Sequence, residues 1–391
     1  MNHLRTLVVL GSIAALAACS DEASPVASRT SGEGQALAPV IAPADPSQAV
    51  DGSYIVVLRG QAAASEIAGR ARVAARREFG AVLNGFSAEL TPGQLEALRH
   101  DSRVAYIEQD QMYHVTTTQS GATWGIDRID QRNLPLSGTY TYTSTGSGVR
   151  AYVIDTGIYT AHSQFGGRAS AVYDALGGNG QDCNGHGTHV AGTIGSATYG
   201  VAKGVSLRAV RVLDCSGSGA TSGIIAGMNW VASNAQKPAV ANMSLGGGYS
   251  SSLNTAATNL AGSGVFLAVA AGNENQPACN VSPASASGTL TVAASTSADA
   301  KASYSNYGGC VDVYAPGTNI TSTWLSGGTN TISGTSMASP HAAGVAALYK
   351  ATYGDAASST VVSWIINNAT ANVISGNPSG TPNRLLYKST L

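Results

Sequence analysis

From about residue 115 onward, apolar runs of strand length alternate with Ala-rich stretches of helical length. This alternation narrows the fold more than any other feature. The strand runs are Val149–Ile154, Leu207–Leu213, Ala239–Leu245, Val265–Ala270 and Leu290–Ala293. The helical stretches are 186–196, 220–235, 252–262 and 336–351. Strands apolar along their whole length must be covered on both faces, and helices between them supply the cover. The prediction is an α/β fold with a doubly wound, mostly parallel sheet. Such open sheets bind their ligands beyond the carboxyl ends of the strands. No internal repeat is evident.

The part before residue 115 reads differently. Arg5 precedes an apolar run from Leu7 to Ala18, then Cys19. The run is too short to span a bilayer and has the layout of an export signal. Leu16-Ala17-Ala18-Cys19 also has the form of a bacterial lipobox, in which Cys19 would carry a lipid anchor. Both an ordinary signal over 1–19 and an acylated Cys19 are open at this point. Residues 20–52 are rich in Ala, Pro, Ser and Gly and read as a flexible spacer. Residues 53–114 read as a small α+β, ferredoxin-like domain in β-α-β-α-β order. Its strands are expected at Tyr54–Leu58, Val82–Leu90 and Val104–Ile107, with a helix over Ala62–Phe79. A second helix starts at Thr91-Pro92-Gly93-Gln94, with Thr as N-cap, Pro at the first helical position and Gln closing a capping box.

The 391 residues carry 11% charged residues and a net charge of −1. That balance gives no basic footprint for nucleic acid. Of the five cysteines, Cys19 belongs to the signal. Cys183, Cys215, Cys279 and Cys310 lie in the exported part, where an even count points to two disulfides in any of three connectivities.

Three distant segments carry the chemistry. Asp155 ends the apolar strand Ala151-Tyr152-Val153-Ile154 and is followed by Thr156-Gly157. His186 opens the small-residue run Gly187-Thr188-His189-Val190-Ala191-Gly192. Ser336 stands between Gly334-Thr335 and a long apolar helix. Serine hydrolysis needs a hydroxyl to attack, an imidazole to take its proton and a carboxylate to hold the imidazole's tautomer. A helix start also offers free N–H groups to an oxyanion. His186 and His189 do not form a metalloprotease pair, since the i, i+4 spacing and the intervening Glu are missing.

In these segments, in their Asp–His–Ser order and in Ser339-Pro340-His341, the chain resembles the subtilisin-like serine proteases. It is most similar to the proteinase K branch, and there to aqualysin, from about Trp124 to Tyr387. Residues 53–113 resemble the inhibitor-type propeptide of the same proteases, at Asn84-Gly85-Phe86-Ser87-Ala88 and Tyr106-Ile107-Glu108-Gln109-Asp110. The resemblance implies a secreted serine endopeptidase over 115–391, with Asp155, His186 and Ser336 as the triad and Asn273 as an oxyanion donor. It implies a peptide held in extended form between Gly217-Ser218-Gly219 and Ser244-Leu245-Gly246, as a strand added to exposed edges. Ala270-Ala271-Gly272 would wall the first specificity pocket. That wall holds no charge, so an apolar or aromatic P1 side chain is expected.

The resemblance also implies the pairing Cys183–Cys215 and Cys279–Cys310. It implies structural Ca²⁺ on the Asp312 carboxylate with oxygens of Ser287 and Thr289, a donor set that suits this ion. A second calcium site of aqualysin-like enzymes would use Asp127, Asp130 and Gln131. Its other ligands would fall at Ser137 and Thr139, where the sequence departs from the acidic and amide residues of that pattern. The partners implied are peptide substrates and the chain's own propeptide as inhibitor, with a monomeric mature form. Two rivals are an inactive binding pseudoprotease and a lipase of the α/β-hydrolase type. The filled catalytic positions oppose the first. The missing second Gly in Gly334-Thr335-Ser336-Met337-Ala338 opposes the second.

Overall fold

The computed structural model describes residues 36–43, 48–112 and 116–391. The expected signal with Cys19 lies outside them. The chain divides into two compact units, Met1–Tyr113 and His114–Leu391.

The first unit runs β1 (Val40–Ile41), β2 (Ala49–Leu58), α1 (Ala64–Arg70), β3 (Arg77–Phe79), β4 (Gly85–Glu89), α2 (Pro92–Arg99), β5 (Val104–Gln111). Its sheet has the order β1-β5-β2-β4-β3. Val56, Phe86, Ile107, Ile67 and Leu98 form the core between sheet and helices. The expected capping box is present: Gln94 N–H donates to Thr91 Oγ1 at 3.3 Å, and the Gln94 side chain reaches back to Thr91 N–H at 3.0 Å. Two expectations need correction. The spacer is shorter than 20–52, because Val40–Ile41 pair in parallel with β5 and β2 already starts at Ala49. The helix expected over 62–79 ends at Arg70. Arg72 then takes a left-handed conformation with φ 52°, and Arg77–Phe79 pair with β4 as an edge strand. The free edge of β4 outweighed helix propensity there.

The second unit opens with a hairpin, β6 (Thr117–Ser120) and β7 (Thr139–Tyr142), flanking α3 (Trp124–Asp130). It continues through β8 (Arg150–Asp155), β9 (Ala169–Asp174), α4 (His186–Gly195), β10 (Ser206–Arg211), α5 (Thr221–Asn234), β11 (Ala239–Met243) and β12 (Gly247–Gly248). Next come α6 (Ser251–Gly262), β13 (Phe266–Ala270), β14 (Val281–Ser282), β15 (Leu290–Ser295), β16 (Val313–Pro316), β17 (Ile320–Thr323) and β18 (Thr329–Ile332). α7 (Thr335–Tyr353), α8 (Ser358–Asn368), β19 (Thr370–Ala371) and β20 (Arg384–Leu385) complete it. The main sheet has the order β19-β20-β16-β15-β13-β11-β8-β10-β9. All its pairings are parallel except β19 with β20.

The predicted cover on both faces is realised by alternation along the strands. In β8, Ala151 and Val153 pack with Val190, Ile194, Ala338 and Ala342 of α4 and α7. Tyr152 and Ile154 pack on the opposite face with Met228, Val231 and Leu253 of α5 and α6. β9, β16 and α8 were not foreseen: β9 is the partly exposed edge strand, β16 is only four residues long, and α8 buries Val361 and Ile365 in the same core as α7.

Both disulfides have the expected pairing. Cys183–Cys215 and Cys279–Cys310 span 32 and 31 residues, with Cα–Cα distances of 5.0 and 5.3 Å. Loops of this length are worth roughly 3–4 kcal/mol each in the chain-entropy picture.

Two histidines are built into the α4/α7 layer. His189 and His341 are almost wholly buried. Burial pushes the pKa of each down to about 4. The unfolded chain would bind protons that the folded chain refuses. Stability is therefore full above about pH 6.5 and falls as pH drops toward 4. A shift of about 2.5 units is of the order of 3 kcal/mol per histidine. Thermal unfolding of the Ser336→Ala chain, which cannot autolyse, should show Tm falling steeply between pH 6.5 and 4.5. His341→Gln should flatten that dependence. A Tm independent of pH over this window would show that neither histidine titrates as stated.

Candidate active site

The apolar strand β8 delivers Asp155 to the carboxyl edge of the sheet, wholly buried. His186 is the first residue of α4, with a quarter of its side chain exposed. Its Nδ1 lies 2.7 Å from Asp155 Oδ1. The carboxylate takes Nδ1–H, which leaves the Nε2 lone pair free to accept a proton. Oδ1 also accepts Thr156 N–H at 2.8 Å. Burial alone would push the His186 pKa down. The Asp155 charge and hydrogen bond, with Asp182 beyond, outweigh it and hold the pKa above 6.5.

Gly187 allows this approach, and Gly185 makes room for Trp324 beside it. A Cβ at Gly187 would come within 2.2 Å of the Gly157 carbonyl. Gly185, with φ 107°, lies against the Trp324 indole, where a Cβ would come within 2.4 Å. His189 points away from His186's partners: its Nε2–H is shared between the carbonyls of Ile320 and Asn330, at 3.0 and 3.2 Å.

Ser336 stands at the second position of α7. Its N–H therefore has no acceptor within the helix. Ser336 Oγ donates to the Ser244 carbonyl at 3.1 Å. Pro340 follows four residues later and has no N–H, so it leaves the Ser336 carbonyl without a helical donor. Ser244 Oγ supplies that donor at 2.7 Å. Asn242 Nδ2 donates to Ser244 Oγ at 2.9 Å, and Ser339 Oγ donates to Asn242 Oδ1 at 2.7 Å. The first turn of α7 is thus bolted to the end of β11.

Asn273 follows β13. Its Oδ1 accepts both Thr335 N–H, at 2.8 Å, and Thr335 Oγ1–H, at 2.9 Å. These bonds orient the amide. Nδ2, which has no hydrogen-bond partner among the described residues, is left to the cavity that Asn273 and Ser336 both line.

That cavity, about 230 Å³, is also lined by Leu245, Gly246, Ala270, Gly272 and Val281. A second, about 510 Å³, is lined by His186, Asn184, Gly217, Ser218, Gly219, Ser244, Leu245 and Gly246. Leu245 and Gly246 border both, so the predicted substrate residues form one cleft with Ser336 and His186.

Two details differ from expectation. Ala271 does not face the cavity: it is wholly buried and packs with Ala278 and Val281, because residues next to each other in an extended segment face opposite ways. The cavity also has a charged lining residue, Glu274. Its Oε2 accepts Asn273 N–H at 2.9 Å and Asn306 Nδ2–H at 2.8 Å. Sequence reasoning missed Glu274 because it lies in a loop without periodicity.

The calcium candidates are oxygen donors only. Asp312 Oδ2 accepts Thr291 N–H at 2.8 Å, and its other oxygen has no hydrogen-bond partner among the described residues. Burial pushes the Asp312 carboxyl up. The Ser287 carbonyl accepts Thr258 Oγ1–H, and the Thr289 hydroxyl donates to Ala286. By donor chemistry, a carboxylate with one unengaged oxygen together with carbonyl and hydroxyl oxygens would suit a hard cation. Among the described residues no cluster of three or more His, Cys, Asp or Glu could hold a metal. At the second locus the protein closes on itself. Asp127 accepts Ser137 Oγ–H and Gly138 N–H, Gln131 Oε1 accepts Ser137 N–H, and Asp130 accepts Thr141 N–H.

An imidazole–carboxylate pair, a serine at a helix start and an amide donor at the carboxyl edge of a parallel sheet define a serine-hydrolase site. The chain belongs to the subtilase family, whose model matches residues 146–385; the peptidase inhibitor I9 model matches residues 47–116. It is therefore a subtilisin-like serine endopeptidase preceded by an inhibitor-type propeptide. It is 57% identical to an extracellular serine proteinase of Thermus sp. (strain Rt41A) over 313 residues, 79% of this chain and 76% of that one. It is 46% identical to proteinase R of Parengyodontium album over 345 residues, 86% and 88% of the two chains. Among solved structures, a cold-adapted subtilisin-like serine proteinase superposes with a TM-score of 0.68 at 53% identity, covering 70% of this chain and 99% of that one.

The Asn273 geometry yields a direct expectation. Asn273→Ala should lower kcat by about 10²–10³, the magnitude known for the corresponding donor in subtilisin, a relative, with KM little changed. Steady-state kinetics on a peptide amide would check this. A rise in KM at constant kcat would assign Asn273 to substrate binding.

Proposed function

We propose that Ser336 is the nucleophile of this endopeptidase, His186 its general base and then acid, and Asp155 the carboxylate that orients the imidazole. The carrying observation is the 2.7 Å Asp155–His186 contact on the same cleft as Ser336. For attack, the Ser336 hydroxyl turns from the Ser244 carbonyl to His186 Nε2 and gives up its proton as Oγ bonds to the scissile carbonyl carbon. Asn273 Nδ2–H and Ser336 N–H then stabilise the oxyanion. The imidazolium returns its proton to the departing amine, and water releases the acyl group by the same route. The substrate backbone lies extended between 217–219 and 244–246. The P1 side chain enters the 230 Å³ cavity. Leu245, Ala270 and Val281 favour an apolar or aromatic P1 within a broad specificity.

The precursor is read as a signal over 1–19, a spacer, an inhibitor propeptide over 53–114 and a catalytic domain over 115–391. The division of compact units after Tyr113 supports cleavage close to that point. The extracellular relatives support secretion. The mature enzyme is read as a monomer. Asp312 with Ser287 and Thr289 oxygens would hold a structural Ca²⁺, which would neutralise a half-buried carboxylate and tie it to the neighbouring loop.

Two experiments test this reading. Ser336→Ala should remain an uncut precursor after refolding and take up no fluorophosphonate, whereas the wild type processes itself and is labelled once, at Ser336. Processing by the purified mutant would refute the assignment. Chelator should shorten the half-life of the mature enzyme at elevated temperature while leaving the initial rate at 25 °C unchanged. An immediate loss of rate with an intact circular dichroism spectrum would contradict a purely structural metal.

A further inference from the structure

Asp182 has no place in the triad, yet it is among the most heavily bonded carboxylates of the second unit. It is nearly buried, in the loop before α4. Oδ1 accepts Asn184 N–H at 2.9 Å, Gly185 N–H at 3.0 Å and the Thr156 hydroxyl at 2.9 Å. Oδ2 accepts Thr188 N–H at 2.9 Å and the Thr188 hydroxyl at 2.6 Å. Thr156 is the residue after Asp155, and its Oγ1 accepts Gly187 N–H at 2.9 Å. One carboxylate therefore grips the residue beside Asp155 and the backbone on both sides of His186. The donors are the free N–H groups of a helix start, where an anion is favoured.

We propose that Asp182 is a positioning residue of this protease: it fixes the registry between β8 and α4 that brings the His186 imidazole to Asp155, and its charge stabilises the imidazolium formed when Ser336 is deprotonated. The proposal rests on His186 being the base. Both roles act through His186, since Asp182 itself does not line the cleft.

Asp155 on β8 and Asp182 are the anions that bear on His186, and each raises its pKa. The other ionisable groups on the elements packed around α4 are committed elsewhere. His189 on α4 and His341 on α7 are pushed down to about 4 by burial and are neutral in the working range. His162 Nε2 is bonded to the Gly328 carbonyl. Arg168 donates to the Gly195 carbonyl at the far end of α4. On β10, Arg208 donates to the carbonyls of Arg168 and Leu207, and Arg211 pairs with Asp174. Removing the Asp182 charge should therefore lower the His186 pKa and move the acid limb of kcat/KM toward lower pH. A merely structural loss would leave that limb in place.

The test is the pH profile of kcat and kcat/KM for wild type and Asp182→Asn, each matured by added wild-type protease removed afterwards, with folding checked by circular dichroism. Expected are a fall in kcat of about tenfold or more, as misplacement of a catalytic group produces, KM within about twofold, and an acid limb about half a pH unit lower. An unmoved limb, or a loss carried by KM, would overturn the proposal. If Asp182→Asn does not fold, Thr156→Val removes the link to β8 and keeps the charge. Its kcat should fall with the limb unmoved, and an unchanged kcat would overturn the positioning role. His186→Ala separates the two levels: activity in that variant would refute the base assignment itself. A dead His186→Ala beside an unperturbed Asp182→Asn would refute only the role of Asp182.

Discussion

A buried carboxylate that meets its imidazole at 2.7 Å is the constraint on which the rest of this structure turns. Asp155 is wholly excluded from water. An ionised carboxylate there is tolerable only if donors replace its hydration. Thr156 N–H and the His186 ring provide them at Oδ1. The helix must therefore come very close to the end of the strand, and Gly187, where a Cβ would meet the Gly157 carbonyl, is the consequence. Asp182 then supplies the acceptor for backbone N–H groups that the helix start leaves without helical partners.

The second requirement is that the start of α7 be held with comparable rigidity. Two devices achieve it. Pro340 strips the Ser336 carbonyl of its helical donor, and Ser244 takes the vacancy, joining α7 to β11. The hairpin of β17 and β18 packs on the other helix. Ser322 and Thr323 donate to the carbonyls of His189 and Thr188, both at 2.8 Å, and His189 donates back to Ile320. That hairpin leads through Ser333, Gly334 and Thr335 into Ser336. The segment that carries Ser336 is thus continuous with the segment that clamps the helix of His186. The Ser336 hydroxyl and the His186 imidazole are held by one common frame, as the proposed reaction between them would demand.

The cavity combines apolar and polar lining. Leu245, Ala270 and Val281 give it apolar surface, while Asn273 and Glu274 are held in its lining by bonds to Thr335 and Asn306. The amide of Asn273 keeps its Nδ2 free of other partners among the described residues because Thr335 engages its oxygen twice. That orientation is a property of the surroundings, since an isolated Asn has no preference between its two ends.

The sequence by itself determined a good deal. Fully apolar strands alternating with Ala-rich helices can be buried only as a parallel sheet covered on both faces, so the layer order was legible. Asp155, His186 and Ser336 stand at a strand end or a helix start and Asn273 follows β13 closely, and their place in family segments marked all four as candidates. Periodicity did not reveal what loops and distant pairings decide. Whether 71–79 forms helix or edge strand depended on the free edge of β4. Whether Ala271 or Glu274 faces the cavity depended on the path of the chain after β13. The bonds Asp182–Thr156, Ser244–Ser336 and Thr323–Thr188 join residues 26, 92 and 135 apart along the chain. Only the tertiary structure brings such groups within hydrogen-bond reach, because local sequence fixes which groups a segment offers but not which ones the packing places opposite them.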